Sequence, residues 1–562
     1  MLPLNFLQIL FLLGFSLPAQ AAPRPAAQAP TEPAVFRISG MVVDAISGQP
    51  LARASVSMDV SPAAGSSALL ESNRTAVTDT EGKFAFPGVP PGKYVLSARR
   101  RGYFPQMYQQ HESFTTAIIV GPGLDTENLT FRLHPAASVS GDVRDEFDDP
   151  IRHAQVMLFR ENLIGGTRRT SVIRQVTTDD LGHYRFGHLA PGTYFVSVSA
   201  QPWYAQHSPR VRPNQENLNS SGTISSFSPS AQQGQALDVV YPVLFFPDAN
   251  DLASAAPLAL RAGDAASADF RLHAIPALHL LVRTPVTDPS QPVNIRVTQS
   301  LADGREVGLP ASIQQVAPGL IEVSGVPPGR LSLTQMTPNG NATTQRTQRV
   351  QVFTDAEVDA TQSGSSIVVS GIVRMDDDSP VPQPTRVFLR NSATGQNATT
   401  DVSATGEFSF KSNPVEMGNY EIMVAAPALF IRSLSSSDVK TTGRSFQITN
   451  AKDVSITVNV SKGTGRITGL ALKNNKPCSG AMIVLAPLDL RSNPALFRRD
   501  QSDSDGTFSL NAVVPGRYTL MAIEDGWDLE WANPDGLKKY LPGGESVEIV
   551  PNQKSEIKVN VQ

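Results

Sequence analysis

The stretch that decides the fold is Thr78-Asp79-Thr80-Glu81-Gly82-Lys83-Phe84-Ala85-Phe86-Pro87-Gly88-Val89-Pro90-Pro91-Gly92-Lys93-Tyr94-Val95-Leu96. Phe84 and Phe86 alternate with Lys83 and Ala85, which puts both rings on one face of a strand. Pro91-Gly92 punctuates the chain, and Tyr94, Leu96 and Ala98 then alternate along a second strand. The unit reads as turn, strand, tight Pro-Gly connection, strand, that is, a β-hairpin with one apolar face.

The pattern returns as Thr178-Asp179-Asp180-Leu181-Gly182-His183-Tyr184-Arg185-Phe186 through Pro191-Gly192-Thr193-Tyr194. It returns again as Asp503-Ser504-Asp505-Gly506-Thr507-Phe508-Ser509-Leu510 through Pro515-Gly516-Arg517-Tyr518. Two weaker copies run from Gly319 to Gly329 and from Gly406 to Tyr420; the first of these lacks the tyrosine. Each strong copy is preceded by a strand that opens Ser39-Gly40, Ser140-Gly141 or Thr468-Gly469, and the fourth opens Ser370-Gly371. Closing pairs of short strands follow, such as Ile118-Ile119-Val120 with Leu129-Thr130-Phe131. Short strands with turn signals between them and little helical periodicity indicate an all-β tandem array of about five Greek-key β-sandwiches, beads on a string.

The expected organisation is a signal peptide at 1–21 and a Pro/Ala linker at 22–34. Repeats follow at 35–136, 137–275, 276–366 (degenerate), 367–465 and 466–562, with a mobile Ser/Asn/Gln loop at 208–235 in the second. The apolar run Phe6 to Leu17, ending at Ala19-Gln20-Ala21, predicts export to the periplasm, the cell surface or the medium. It is too short to span a bilayer as a helix, with an uncleaved anchor as the alternative; no other stretch is long and apolar enough, so no membrane span is expected after cleavage. The formal net charge of −4 over 562 residues, with no basic tail, gives no case for nucleic acid. Cys478 is the sole cysteine, so each sandwich has to be held by its own core.

The order Ser-Gly-x-Val, Asp-x-x-Gly-x-Phe-x-Phe, Pro-Gly-x-Tyr-x-Leu resembles the carboxypeptidase regulatory-like domain. The resemblance implies a transthyretin-like sandwich grouped with carbohydrate-binding-like folds, without a catalytic centre. The stalk domains of surface adhesins are similar in shape; their crosslinking glutamate would fall at Ala98 and Ala522, which argues against crosslinking, including between Lys473 and Asn560.

No residue pattern calls for catalysis or a cofactor. The eight histidines form no zinc motif, and no nucleophile elbow or phosphate loop is present. Gln501-Ser502-Asp503-Ser504-Asp505-Gly506 partly resembles a calcium loop but lacks the closing glutamate. Asx-type turns at Asp79, Asp179 and Asp503 account for it without metal. The aromatics are the better lead. Tyr103, Trp203 and Trp527 each lie nine residues after the repeat tyrosine, and Phe430 lies ten after Tyr420. Such rings either close the core or stack on a ligand. Trp527, Trp531, Tyr540 and Trp203 are the candidate ligand-binding residues. The expected function is a non-enzymatic, exported binding protein, with polysaccharide or another cell-envelope component as the first ligand class. A surface-protein partner, a spacer or adhesin-like stalk, and an accessory chain of a peptidase are the alternatives.

Overall fold

The structure is a computed structural model. It describes residues 35–61, 74–208, 235–284, 294–300, 306–339, 342–361, 367–392, 397–411, 415–426, 429–490 and 494–562. The predicted signal segment and linker lie outside these residues, as does the predicted mobile loop apart from its two end residues, Ser208 and Gln235.

The deciding stretch forms two strands, Lys83–Val89 and Gly92–Arg99, but they do not pair with each other. Lys83–Val89 lies antiparallel to the opening strand Phe36–Asp44, with Gly40 opposite Phe84. Gly92–Arg99 lies antiparallel to Ser55–Val60 in the other sheet, with Val56 opposite Ala98. The expected hairpin is therefore an arch. The reason is the apolar faces: in a hairpin Phe84, Phe86, Tyr94 and Leu96 would line one sheet side by side. In the arch they face each other from two layers and fill one core with Ile38, Val56 and Phe131. Burying each of these rings contributes roughly 1.5–3 kcal/mol.

The same plan recurs in all five bodies, here termed domains 1 to 5. The opening strand has the arch strand antiparallel on one side and the closing strand parallel on the other. Thus Phe36–Asp44 pairs parallel with Leu129–Leu133, Val369–Met375 with Val454–Lys462, and Gly465–Lys473 with Lys554–Asn560. Domain 2 splits its closing strand into Ala265–Ser267 and Phe270–Arg271. In domain 3, Leu278–Arg283 takes Leu320–Val326 antiparallel and Ala356–Asp359 parallel, so the copy without Ser-Gly or tyrosine keeps the topology. A parallel pair requires a long crossover, and the second sheet supplies it. Five separate apolar clusters, one per body, form the cores.

Three local devices explain the recurring letters. Gly82, Gly182 and Gly506 have φ near +74° to +81°, and a Cβ there would press on the carbonyl oxygens of Val42, Val143 and Ala471 at 2.6–2.9 Å. The residue before each Asp is a hydroxyl that closes the neighbouring loop. Thr78 Oγ1 accepts from the Ala54 amide at 2.8 Å and donates to Leu51 O at 2.6 Å. Thr178 repeats this with Ala154 and Ile151, and Ser502 with Ala481 and Cys478. The tyrosine fixes the Pro-Gly turn by donating to the carbonyl four residues back. The contacts are Tyr94 to Pro90, Tyr194 to Ala190, Tyr420 to Glu416 and Tyr518 to Val514, at 2.6–3.0 Å. Leu331 stands there in domain 3 and makes no such bond. Among the described residues no helix is long and apolar enough to cross a membrane.

Candidate functional site

Domain 5 departs from the common plan between its strands Gly516–Ile523 and Glu545–Ile549, where it carries short helical turns. These are Gly526–Asp528, Pro534–Leu537 and Leu541–Gly543. Asn533 caps the second by accepting from the Asp535 amide, with Pro534 in the first turn. This insert places Trp527, Trp531 and Tyr540 over the outer face of its own sheet, on Met482, Val484, Met521 and Ile523.

The insert and the adjoining turns are docked on domain 1. Trp527 is 8 % exposed; its ring stacks on His111 of domain 1 at 4.8 Å and 4°, and its Nε1 donates to Gly480 O. The Arg499 guanidinium lies 5.0 Å from the Phe114 ring, 5.9 Å from Trp527 and 4.5 Å from Trp531. It forks onto the Glu112 carboxylate at 2.7 and 3.2 Å. A planar cation shared by three ring faces and a bidentate acid is a strong geometric anchor.

The partially calcium-like stretch belongs to the same interface. Gln501 Nε2 donates to Gln109 O and Thr116 Oγ1, and its Oε1 lies 3.2 Å from His111 Nδ1. The Ser504 amide donates to Ala117 O, and the Ser504 hydroxyl accepts from the Ile119 amide. Asp503 Oδ2 takes Lys93 Nζ at 2.6 Å, and Oδ1 takes the Ala117 amide. Burial dominates its titration and pushes the carboxyl up to about 6, with Lys93 pulling the other way. Asp500 behind it is also raised by burial. The Asx reading holds for Asp79 and Asp179, each of which caps amides of its own turn at 2.8–2.9 Å. It fails for Asp503, whose turn is capped by Asp505 instead.

Domain 2 reaches the same insert. The tip of its long hairpin, Gln155–Ile164 with Thr167–Thr177, sets the Arg168 amide on Glu530 at 3.0 Å and the Arg168 guanidinium on Asp528 O. The Ala532 amide donates to Gly166 O. Glu530 is held below the usual carboxylate range by the Arg168 amide first and by Asn533 second.

The four predicted ligand residues thus separate. Trp527 is enclosed between domains, where no ligand ring can stack on it. Trp531 is half-buried under Arg499 and against Phe497. Tyr540 is half-buried, with Lys539 Nζ 4.6 Å from its ring and Gln562 donating to its carbonyl. Trp203 is elsewhere and 85 % exposed. It stands edge-to-face with Tyr204 at 5.8 Å and 89°. Tyr204 Oη donates to Glu146 Oε1 at 2.5 Å, and Tyr241 reaches the other oxygen of the same carboxylate. Burial and Glu146 push the Tyr204 hydroxyl up to about 12. Tyr103, in the same frame, packs on its own core and donates to Asp44. Lys473, considered above with Asn560, is taken up by both oxygens of Glu524 at 2.6 Å on the surface.

The anchors Arg499, Glu112, His111 and Lys93 escaped the sequence reading. The one available signal was the polar run Gln501-Ser502-Asp503, which is buried although its letters suit an exposed turn.

Residues 37–134 and 138–220 match the carboxypeptidase regulatory-like domain family. No curated protein matches. Among solved structures, a streptococcal ancillary pilin is similar at 13 % identity over 51 % of this chain and 99 % of that one, with a TM-score of 0.19. A minor pilin of Streptococcus agalactiae is similar at 12 % identity over 46 % and 100 %, with a TM-score of 0.21. The TIE protein of Bacillus anthracis is similar at 11 % identity over 95 % and 76 %, with a TM-score of 0.16. Scores this low carry no argument about function.

Proposed function

We propose, for a chain whose residues 37–134 and 138–220 match the carboxypeptidase regulatory-like domain family, the role of a non-enzymatic, exported scaffold. It binds carbohydrate through the end of domain 2 that bears Trp203. The observation that carries this reading is the contrast in exposure between Trp203 and the three aromatics of domain 5. An indole standing free in water, braced by a tyrosine that is itself tied to a carboxylate, has the shape of a stacking platform with hydrogen-bond acceptors beside it. The domain 5 aromatics serve to close the chain on domains 1 and 2.

The test is glycan-array binding of residues 22–562, the same chain with Trp203→Ala, and the same chain with Trp527→Ala. Binding by the parent that is lost in Trp203→Ala supports the reading. Binding retained by Trp203→Ala overturns the site. No binding by the parent overturns the ligand class and favours the spacer reading.

A further inference from the structure

Among the described residues, the two large apolar side chains that stand furthest into water are Trp203, 85 % exposed, and Phe147, 73 % exposed. Both lie at one end of domain 2. Phe147 is in the turn 145–150, between the strands Ala137–Arg144 and Gln155–Ile164, and Trp203 follows the strand Gly192–Ser199. Their chain neighbours tie the two loops together: Glu146, beside Phe147, accepts from the hydroxyl of Tyr204, beside Trp203. Tyr241 reaches the same carboxylate.

The Phe147 turn is braced as well. Asp145 is buried, and its Oδ1 accepts from the Phe147 amide at 2.9 Å and the Asp149 amide at 2.8 Å. Arg144 Nη1 donates to Asp148 O at 2.9 Å, and Arg271 pairs with the Asp148 carboxylate at 2.6 Å. A ring carried on a turn tied at this many points has less freedom to lose when it meets a ligand.

The fold does not require a ring at this position. It stands six residues after the opening glycine, where domain 1 has Ile46, domain 4 Asp377 and domain 5 Asn475. Ile46 is 66 % exposed, so the turn turns this residue outward in domain 1 too. The position nine residues after the repeat tyrosine is used for the core by Tyr103 and for the domain interface by Trp527. Domain 2 alone among these sets an exposed ring at both positions, where neither ring adds to a core.

We propose that Phe147 is a second stacking surface of the Trp203 site, and that the pair takes a glycan chain by two of its sugar rings, the chain being neutral or amine-bearing and not acidic. The inference rests on the carbohydrate reading above. The length requirement follows from the two rings standing on separate loops, each offering one flat face. The charge requirement follows from the turn that carries Phe147. Asp145, Glu146, Asp148 and Asp149 set four carboxylates against the guanidiniums of Arg144 and Arg271. A uronate or a sulfate there meets like charge, whereas an ammonium meets carboxylates and an indole face.

The test takes the glycans that the parent chain captures on the array and titrates them in solution by calorimetry, as length series from the single sugar upward. Phe147→Ala weakens the longer members by about three- to tenfold and leaves the single sugar unchanged. Phe147→Trp keeps the parent's affinity, and Phe147→Leu, apolar but not flat, binds like Phe147→Ala. Uronic-acid and sulfated glycans are missing from the captured set. Thermal melts of the variants match the parent, as an exposed position predicts. Phe147→Ala titrating like the parent, while Trp203→Ala does not bind, overturns the second surface and leaves the carbohydrate reading in place. Capture of uronic-acid glycans as well as neutral ones overturns the charge requirement. No capture by the parent, or capture kept by Trp203→Ala, overturns the inference together with the reading on which it rests.

Discussion

Domains 2 and 5 carry the same letters in the same frame and use them in opposite ways. Asp179 and Asp503 each stand three residues before the turn glycine, and Trp203 and Trp527 each stand nine residues after the repeat tyrosine. In domain 2 the aspartate caps its own turn in water and the indole is exposed. In domain 5 the aspartate takes a lysine of another domain and the indole is enclosed. The motif thus builds the sandwich in both, and what each end does depends on whether another domain arrives to cover it. The local chemistry records the difference: the turn amides hold Asp179 below the usual carboxylate range, whereas burial lifts Asp503 above it.

The comparison breaks most visibly at the tryptophans. Trp527→Ala removes a ring buried between two domains and costs domain 5 about 3–5 kcal/mol, whereas Trp203→Ala stays within about 0.5 kcal/mol. Calorimetry of the full chain, with the domain 5 transition followed separately, checks both. Equal effects would mean that the two positions are alike after all.

Next in size is the Arg499–Glu112 fork. Arg499→Ala strips three rings of their cation and leaves an acid without its partner, at a cost of about 2–3 kcal/mol. A double-mutant cycle with Glu112→Ala gives a coupling of about 1–2 kcal/mol if the fork is formed, and none if domain 5 floats free.

The aspartates sharpen the comparison by sign. Asp503 is raised on folding, so its contribution is fully present below about 4 and is lost as pH rises through about 6. Relative to Asp503→Asn, the wild type therefore loses up to about 3 kcal/mol between pH 4 and pH 7. Lys93→Ala, which removes the opposing charge, steepens that loss. Asp179 is lowered, so its smaller contribution is present above the ordinary aspartate range and is lost as pH falls. Asp179→Asn removes only that acid limb. Urea titrations at a series of pH values read both slopes, and slopes of the same sign would refute the distinction.

The repeat unit, the number of copies and the two-layer architecture were legible because they rest on local rules. A turn glycine, a Pro-Gly connection and alternating rings act within a few residues of each other. The connection itself was misread as a hairpin. Period-two alternation shows which face of each strand is apolar, but not whether two such faces lie side by side or opposite one another. The site was legible only as an inventory. Trp527 and Trp203 share a frame position, and nothing within either domain says that His111 will cover one ring and water the other. Contacts such as Lys93 with Asp503 span 410 positions and depend on how whole domains settle.

The most direct test of the account is a distance across the closure. With Cys478→Ser as background, spin labels at exposed Leu124 of domain 1 and Val550 of domain 5 report whether these domains hold a fixed separation. Docking through Trp527, Arg499 and Asp503 predicts one narrow distance distribution by pulsed dipolar spectroscopy, broadened by Trp527→Ala. A broad distribution in the parent, unchanged by that substitution, would contradict the closure and return domain 5 to the end of an open string.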